Sequence, residues 1–237
     1  MKLDTTMSIQ ATVIRRSCWV VLLWGLGTSF VFAQAAGSPI AFANQQAITT
    51  SFVKAPTLGV SSGPSQGETD WLKVEFQYGV AFPQDPNAPP GAVTPKYLDE
   101  VQFKIWIEGR DMLDPQGKPG EGIAVVLTGS VTYVNVPVGR NLYGVFYVHP
   151  NAIGRYSTDR GNRDFDNNGK FDVHMEAYVG GKIMDKIDKK KGDPDGWHVQ
   201  PGIKAIPGMV YRQNQSPFLN SDVDRYPAIK LPVETAP

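Results

Sequence analysis

Residues 71–78 (WLKVEFQY) alternate apolar and polar side chains, with Leu72, Val74, Phe76 and Tyr78 on one side and Lys73, Glu75 and Gln77 on the other. Successive side chains of a strand point to opposite faces, so a period of two over this length describes a strand with one face buried. The stretch from Tyr97 to Glu108 repeats the pattern. Val101, Phe103, Ile105 and Ile107 fall on the core side, and Gln102, Lys104, Trp106 and Glu108 fall on the other. A third alternating segment, 171–179, turns Val173, Met175, Ala177 and Val179 inward. Each of these strands needs an apolar partner layer to cover its inner face.

The remaining chain offers strands and turns to build that layer. Ile123 to Val136 and Asn141 to His149 are rich in β-branched and aromatic residues, and Lys182 to Ile187 follows the pair Gly180-Gly181, a two-residue hairpin signal. Between strands, the loop 83–95 holds prolines 83, 86, 89, 90 and 95, and 109–122 (GRDMLDPQGKPGEG) is turn chemistry throughout. The chain has 24 glycines and 19 prolines and no convincing amphipathic helix. Parallel β-α-β folds need crossover helices, so the expected fold is all-β, an antiparallel immunoglobulin-like β-sandwich, with a jelly roll as the alternative.

The N-terminus reads as an address. Arg15 and Arg16 precede an apolar run, Cys18 to Ala33, that ends in Val31-Phe32-Ala33. A basic start, a short apolar middle and a small-residue exit describe a secretory signal peptide over 1–33, and the run falls short of the ~20 residues that span a bilayer. Cleavage leaves a mature chain with no membrane span, exported to the periplasm, the outer surface or the extracellular space. It also removes Cys18, the only cysteine. The mature protein therefore has no disulfide, no thiolate nucleophile and no cysteine-ligated metal. Residues 34–69 have no charge before Lys54 and read as a flexible leader with one possible early strand at Ala47–Val53, ahead of a single sandwich domain over 70–237.

Basic and acidic residues number 23 each, so no field directs the chain to nucleic acid. No phosphate-binding glycine loop and no His-Glu-x-x-His occurs, and no catalytic residue is assigned. The sharpest local signal is Asp164, Asp166, Asn168 and Asp172, with Gly169 at the bend. Oxygen side chains at positions one, three, five and nine match the first part of a calcium loop, but position twelve is Met175 where a bidentate glutamate is required. The loop therefore carries two readings, a polar hairpin loop that caps its own backbone or a weak Ca2+ site. His174 and Glu176 share a strand face at ligand spacing, and no third ligand is identifiable from the sequence. Trp106, Tyr143 and Tyr147 are candidate binding aromatics, either as stacking platforms for sugars or as a subunit interface.

The stretches WLKVEFQYGV (71–80), YLDEVQFKIWIEGRD (97–111), VVLTGSVTYVNVPVGR (125–140) and VHMEAYVGG (173–181) together resemble a family of exported pilus-like proteins of Verrucomicrobia, encoded near pilus-assembly genes. That resemblance implies an immunoglobulin-like sandwich and a non-enzymatic, pilus-associated role, with other cell-surface or pilus proteins, or further copies of the same chain, as partners. Type IV pilins carry a Gly-Phe-type processing site before a long N-terminal helix. Here the apolar run ends directly in a cleavable exit, which makes the expected role that of an accessory or differently assembled subunit. The competing expectation is a carbohydrate-binding surface module stabilised by calcium.

Overall fold

The computed structural model describes residues 38–44, 47–56, 70–83, 87, 89, 91–111, 113–114, 122–156, 172–189 and 196–231, all within the unit 31–237. In chain order the strands are β1 (Ile40–Phe42), β2 (Ile48–Lys54), β3 (Asp70–Val80), β4 (Tyr97–Asp111), β5 (Ile123–Pro137), β6 (Gly139–Val148), β7 (Val173–Val179), β8 (Lys182–Asp188), β9 (Lys204–Pro207), β10 (Val210–Arg212) and β11 (Ala228–Ile229). A short helix, α1 (Pro150–Tyr156), follows β6.

The strands form two sheets. In the first, β1 and β2 lie one after the other along one side of β3, followed by β6 and β10. In the second the order is β8-β7-β4-β5, with β9 and β11 sharing the far side of β5. Read in sequence from β2 to β8, these are the A-B-E and G-F-C-C′ arrangements of an immunoglobulin sandwich, with the late strand β10 in the place beside E. All pairings are antiparallel except β5 with β9.

The alternating strands bury the faces their sequences expect. Val101, Phe103, Ile105 and Ile107 of β4, and Val74, Phe76 and Tyr78 of β3, are 0–1% exposed. The centre of this core holds a cluster of aromatic rings. Phe103 lies 4.7 Å from Phe76, 4.8 Å from Tyr78, 5.9 Å from Phe42 and 6.0 Å from Tyr133, centroid to centroid. Such tilted and edge-on pairs each add about 0.5–1.5 kcal/mol beyond the area they bury. The sheets are also joined by a hydrogen bond, as the Val145 N–H of β6 donates to Tyr133 Oη of β5 at 3.1 Å. The β7–β8 hairpin turns at Gly180 and Gly181 with φ of 57° and 77°, the double left-handed conformation that two-residue turns require.

The sandwich begins earlier than the expected leader allows. Residues 38–56 provide two strands: β2 matches β3 from Ile48↔Phe76 to Lys54↔Asp70, and β1 matches it from Ile40↔Val80 to Phe42↔Tyr78. Ile40, Phe42, Ala47 and Ile48 belong to the main core. The physical reason is that β3 is eleven residues long and needs a neighbour on its outer side, which this segment, uncharged up to Lys54, supplies. The second departure is α1, whose Gly154 and Pro150 weaken any helical signal in so short a segment.

The chain after β10 straps the outer face of the first sheet. Phe218 stacks on Tyr147 at 4.4 Å and 10°, and meets Trp71 edge-on at 6.0 Å. Glu75 of β3 anchors the strap, accepting from Tyr226 Oη at 2.6 Å and from Arg225 Nη2 at 2.5 Å, with Lys73 Nζ at 3.0 Å. Burial works against ionisation of Glu75, but the Tyr226 and Lys73 hydrogen bonds and the charges of Lys73 and Arg225 outweigh it and hold the carboxyl below its ordinary value. A carboxyl lowered by folding contributes stability above its unfolded value, about 4.3, and that contribution is lost as pH falls through the folded value. Thermal midpoints measured from pH 6 down to pH 3 are therefore expected to fall less steeply for Glu75→Gln than for the parent. Parallel slopes would remove Glu75 as a source of the acid limb.

Candidate functional site

The outer face of the second sheet carries the most concentrated chemistry among the described residues. His174, Glu176 and Tyr178 alternate with the core residues of β7, so all three project away from the core. On a bare sheet such residues would be solvated. Here the 3-10 turn Trp197–Val199 packs over His174, which is 2% exposed, with His198 8% exposed. The two imidazoles stack at 3.8 Å and 15°. Trp106 of β4, which pairs with His174 across the strands, packs against His174 at 5.4 Å and His198 at 4.8 Å.

Polar partners surround His174. Its Nδ1 lies 2.7 Å from Asp188 Oδ1 on β8, and its Nε2 lies 3.3 Å from Glu176 Oε1. Asp188 Oδ1 also accepts from Trp197 Nε1 at 3.2 Å, and Tyr178 Oη donates to the other oxygen of Glu176. Burial, and then the Glu176 hydrogen bond and charge, push the Tyr178 hydroxyl up to about 12, so it is a donor at any physiological pH. Burial, and then the adjacent His174, hold His198 below the ordinary histidine value, which favours its neutral ring. His198 Nδ1 is buried and has no hydrogen-bond partner among the described residues. One donor atom from each of His174, Glu176 and His198 lies within 4.8 Å of the others. Two imidazole nitrogens and a carboxyl oxygen are the donor types that a metal ion of the zinc class takes.

The residues singled out from the sequence fall in several places. Trp106 sits on the outer, polar face as its alternation implies, flanked by the two histidines, and also borders an open groove of about 480 Å³ lined by Lys104, Thr128 and Arg212. Tyr143 is half-buried beneath Arg225, whose guanidinium lies 4.5 Å from the ring centroid. Tyr147 is 2% exposed under Phe218, so its ring has no face to offer a sugar or a subunit. The strap 213–226 covers these tyrosines, and the three aromatics do not form one platform. Asp164, Asp166 and Asn168 lie outside the described residues. Asp172 is 5% exposed, and its carbonyl accepts the Glu108 N–H at 2.9 Å. The calcium reading thus has one described member.

His174 and Glu176 were visible as a ligand pair from their spacing. His198 and Asp188 were not, because one stands in the proline-punctuated tail and the other near the end of a charged strand, with no spacing to tie either to β7. One further string, Gly59-Val60-Ser61-Ser62-Gly63, has the spacing of a hydrolase nucleophile elbow. That elbow works as a strand-to-helix turn above a parallel sheet. Both the two-sheet architecture and the position of 57–69 outside the described residues leave it without a structural context here.

Among the described residues no helix is long and apolar enough to cross a membrane. No curated protein matches the chain. A crystal structure of a protein from Akkermansia muciniphila, a verrucomicrobial bacterium, shares the fold with a TM-score of 0.63 and 20% identity, over 85% of this chain and 99% of that one. A protein-family model matches residues 38–232. That span takes in the early strands β1 and β2, both sheets, the histidine cluster and the strap as one unit, and by it the chain belongs to the family that the model describes.

Proposed function

We propose that the chain is an exported, non-enzymatic structural protein of the cell surface, pilus-associated as its sequence resemblance implies, and that it works by adding neighbours to a sheet edge. The observation that carries this reading is the contrast between the two long edge strands. β8 (KIMDKID) places Lys182, Asp185, Lys186 and Asp188 in seven residues, a density of charge that blocks edge-to-edge pairing. β1 is capped from the same strand, its Phe42 N–H donating to Asp185 Oδ2 at 2.7 Å. β2 (ITTSFVK) has no charge before its last residue, and β3 is its one strand partner among the described residues. A β-prone edge whose first six residues carry no charge is a template for strand addition. Export is supported by the signal-like 1–33 and by a family match that begins at residue 38, just beyond the expected cleavage point.

Thr49 and Ser51 are exposed on β2, so a lysine at each disturbs the edge without entering the core. The double variant Thr49→Lys/Ser51→Lys is expected to keep the parent's thermal midpoint within a few degrees and to lose the self-association, or the co-purifying envelope partners, of the exported protein. Sedimentation velocity and pull-down from the envelope fraction read this. Association equal to the parent's overturns the edge reading. A parent that stays monomeric and captures no envelope protein overturns the assembly role itself.

A further inference from the structure

We infer that His174, Glu176 and His198 form a binding site for a divalent transition-metal ion of the zinc class, held in place by Asp188 and Tyr178. Zinc takes nitrogen and oxygen donors at about 2.0–2.1 Å in a tetrahedron, which sets neighbouring donors about 3.3 Å apart. His174 Nε2 and Glu176 Oε1 stand at that separation, 3.3 Å. With the His198 nitrogen the three donors span no more than 4.8 Å, so a small movement of one ring closes the set. Nitrogen-rich donors select zinc over calcium, which requires six to eight oxygens.

The supporting groups are those a metal site needs. A ligating histidine almost always passes its second ring N–H to a carboxylate or carbonyl, which fixes the ring and raises its basicity. Asp188 Oδ1 does this for His174 Nδ1 at 2.7 Å and is itself oriented by the Trp197 indole. Tyr178 holds the oxygen of Glu176 that does not face His174. The third ligand is the residue left unsatisfied, since His198 is 8% exposed and its Nδ1 has no partner among the described residues. An unmet buried donor or acceptor costs free energy that a ligand removes.

The stacked rings determine how binding proceeds. Parallel imidazoles 3.8 Å apart point their in-plane lone pairs side by side, not at one centre. Binding therefore tilts His198 out of the stack, and Trp106 at 4.8 Å and Trp197 at 5.7 Å report the change. The consequence is structural. An ion held by β7 and by the turn 197–199 staples the C-terminal tail to the second sheet, in a chain whose single cysteine lies at position 18, the task a disulfide performs in many small secreted domains. This inference stands on the histidine cluster alone and does not depend on the β2 edge.

The test uses untagged exported protein, stripped with chelator and reloaded with Zn2+. The expected result is one ion per chain by titration against a zinc-sensitive dye, with a change in tryptophan fluorescence and a rise of several degrees in thermal midpoint that Ca2+ does not reproduce. His198→Ala is expected to abolish binding. Glu176→Gln, a conservative change at a half-buried site, is expected to weaken it at least tenfold with the metal-free midpoint retained, and Asp188→Asn about 10–100-fold. Failure of the parent to bind zinc overturns the site. So does binding that His198→Ala and Glu176→Gln leave unchanged, which would place the ion elsewhere.

Discussion

Gly144→Ala is expected to cost about 3 kcal/mol, the upper end for overpacking a core, and to lower the thermal midpoint by roughly 6–12 °C for a domain of this size. Gly144 on β6 is paired with Phe76 on β3, and the Phe76 ring lies over the space its Cβ would fill. A Cβ built there meets Phe76 Cζ at 2.2 Å and both Cε atoms at 2.7 Å. A clash of that depth is relieved only if the ring moves. Phe76 is 0% exposed and hemmed by Phe103 at 4.7 Å, Phe146 at 5.9 Å and Tyr78 at 6.0 Å. It has nowhere to go without displacing a second ring or the β6 backbone.

A double-mutant cycle separates this account from a general intolerance of β6. Phe76→Leu alone removes ring contacts and leaves a cavity, which is destabilising. Combined with Gly144→Ala, the shorter side chain removes the clash, so the double variant is expected to lose at least ~1 kcal/mol less than the two single losses added. Strict additivity, or a Gly144→Ala protein that melts within 2 °C of the parent, would show that the close approach is absent.

What the sequence made legible follows from which contacts are local. The faces of β3, β4 and β7 were readable because one core covers one side of each strand, and Leu72, Phe103 and Met175 report this through a period of two. The double-glycine turn at 180–181 was readable because its backbone conformation excludes most other residues. β1 gave no such signal, since Ile40, Ala41 and Phe42 are all buried and three residues cannot show a period. Tyr143 stood out in the sequence as a candidate binding aromatic. What covers its ring was not legible, because Arg225 arrives from 82 positions further along the chain. The histidine cluster divides in the same way. His174 and Glu176 share a strand, whereas His198 reaches them only through the packing of the tail.

A chain lacking residues 38–54 is expected to lose its cooperative thermal transition. The deletion removes the seven register pairs of β2 with β3 and the three of β1 with β3. It also takes Ile40, Phe42, Ala47 and Ile48 out of the core. Each large apolar side chain contributes about 1.5–3 kcal/mol on burial. Three such side chains approach the whole net stability of a typical domain, about 5–15 kcal/mol. The uncovered side of β3 would then expose unpaired backbone groups beside Val74 and Phe76, an aggregation-prone edge. Far-UV circular dichroism on heating and limited proteolysis check this. A truncated protein that melts within a few degrees of the parent would return 38–54 to the status of a dispensable leader. A synthetic 38–54 peptide is expected to restore the transition in trans, since its contacts are strand pairing and side-chain insertion. The deletion alone cannot distinguish a structural strand from an assembly edge, because it abolishes both. Thr49→Lys/Ser51→Lys keeps the inner pairing to β3 and changes only the outward side chains of β2. Loss of fold on deletion, with loss of association alone in the lysine variant, is therefore the combination expected if one strand closes the sandwich and recruits its neighbour.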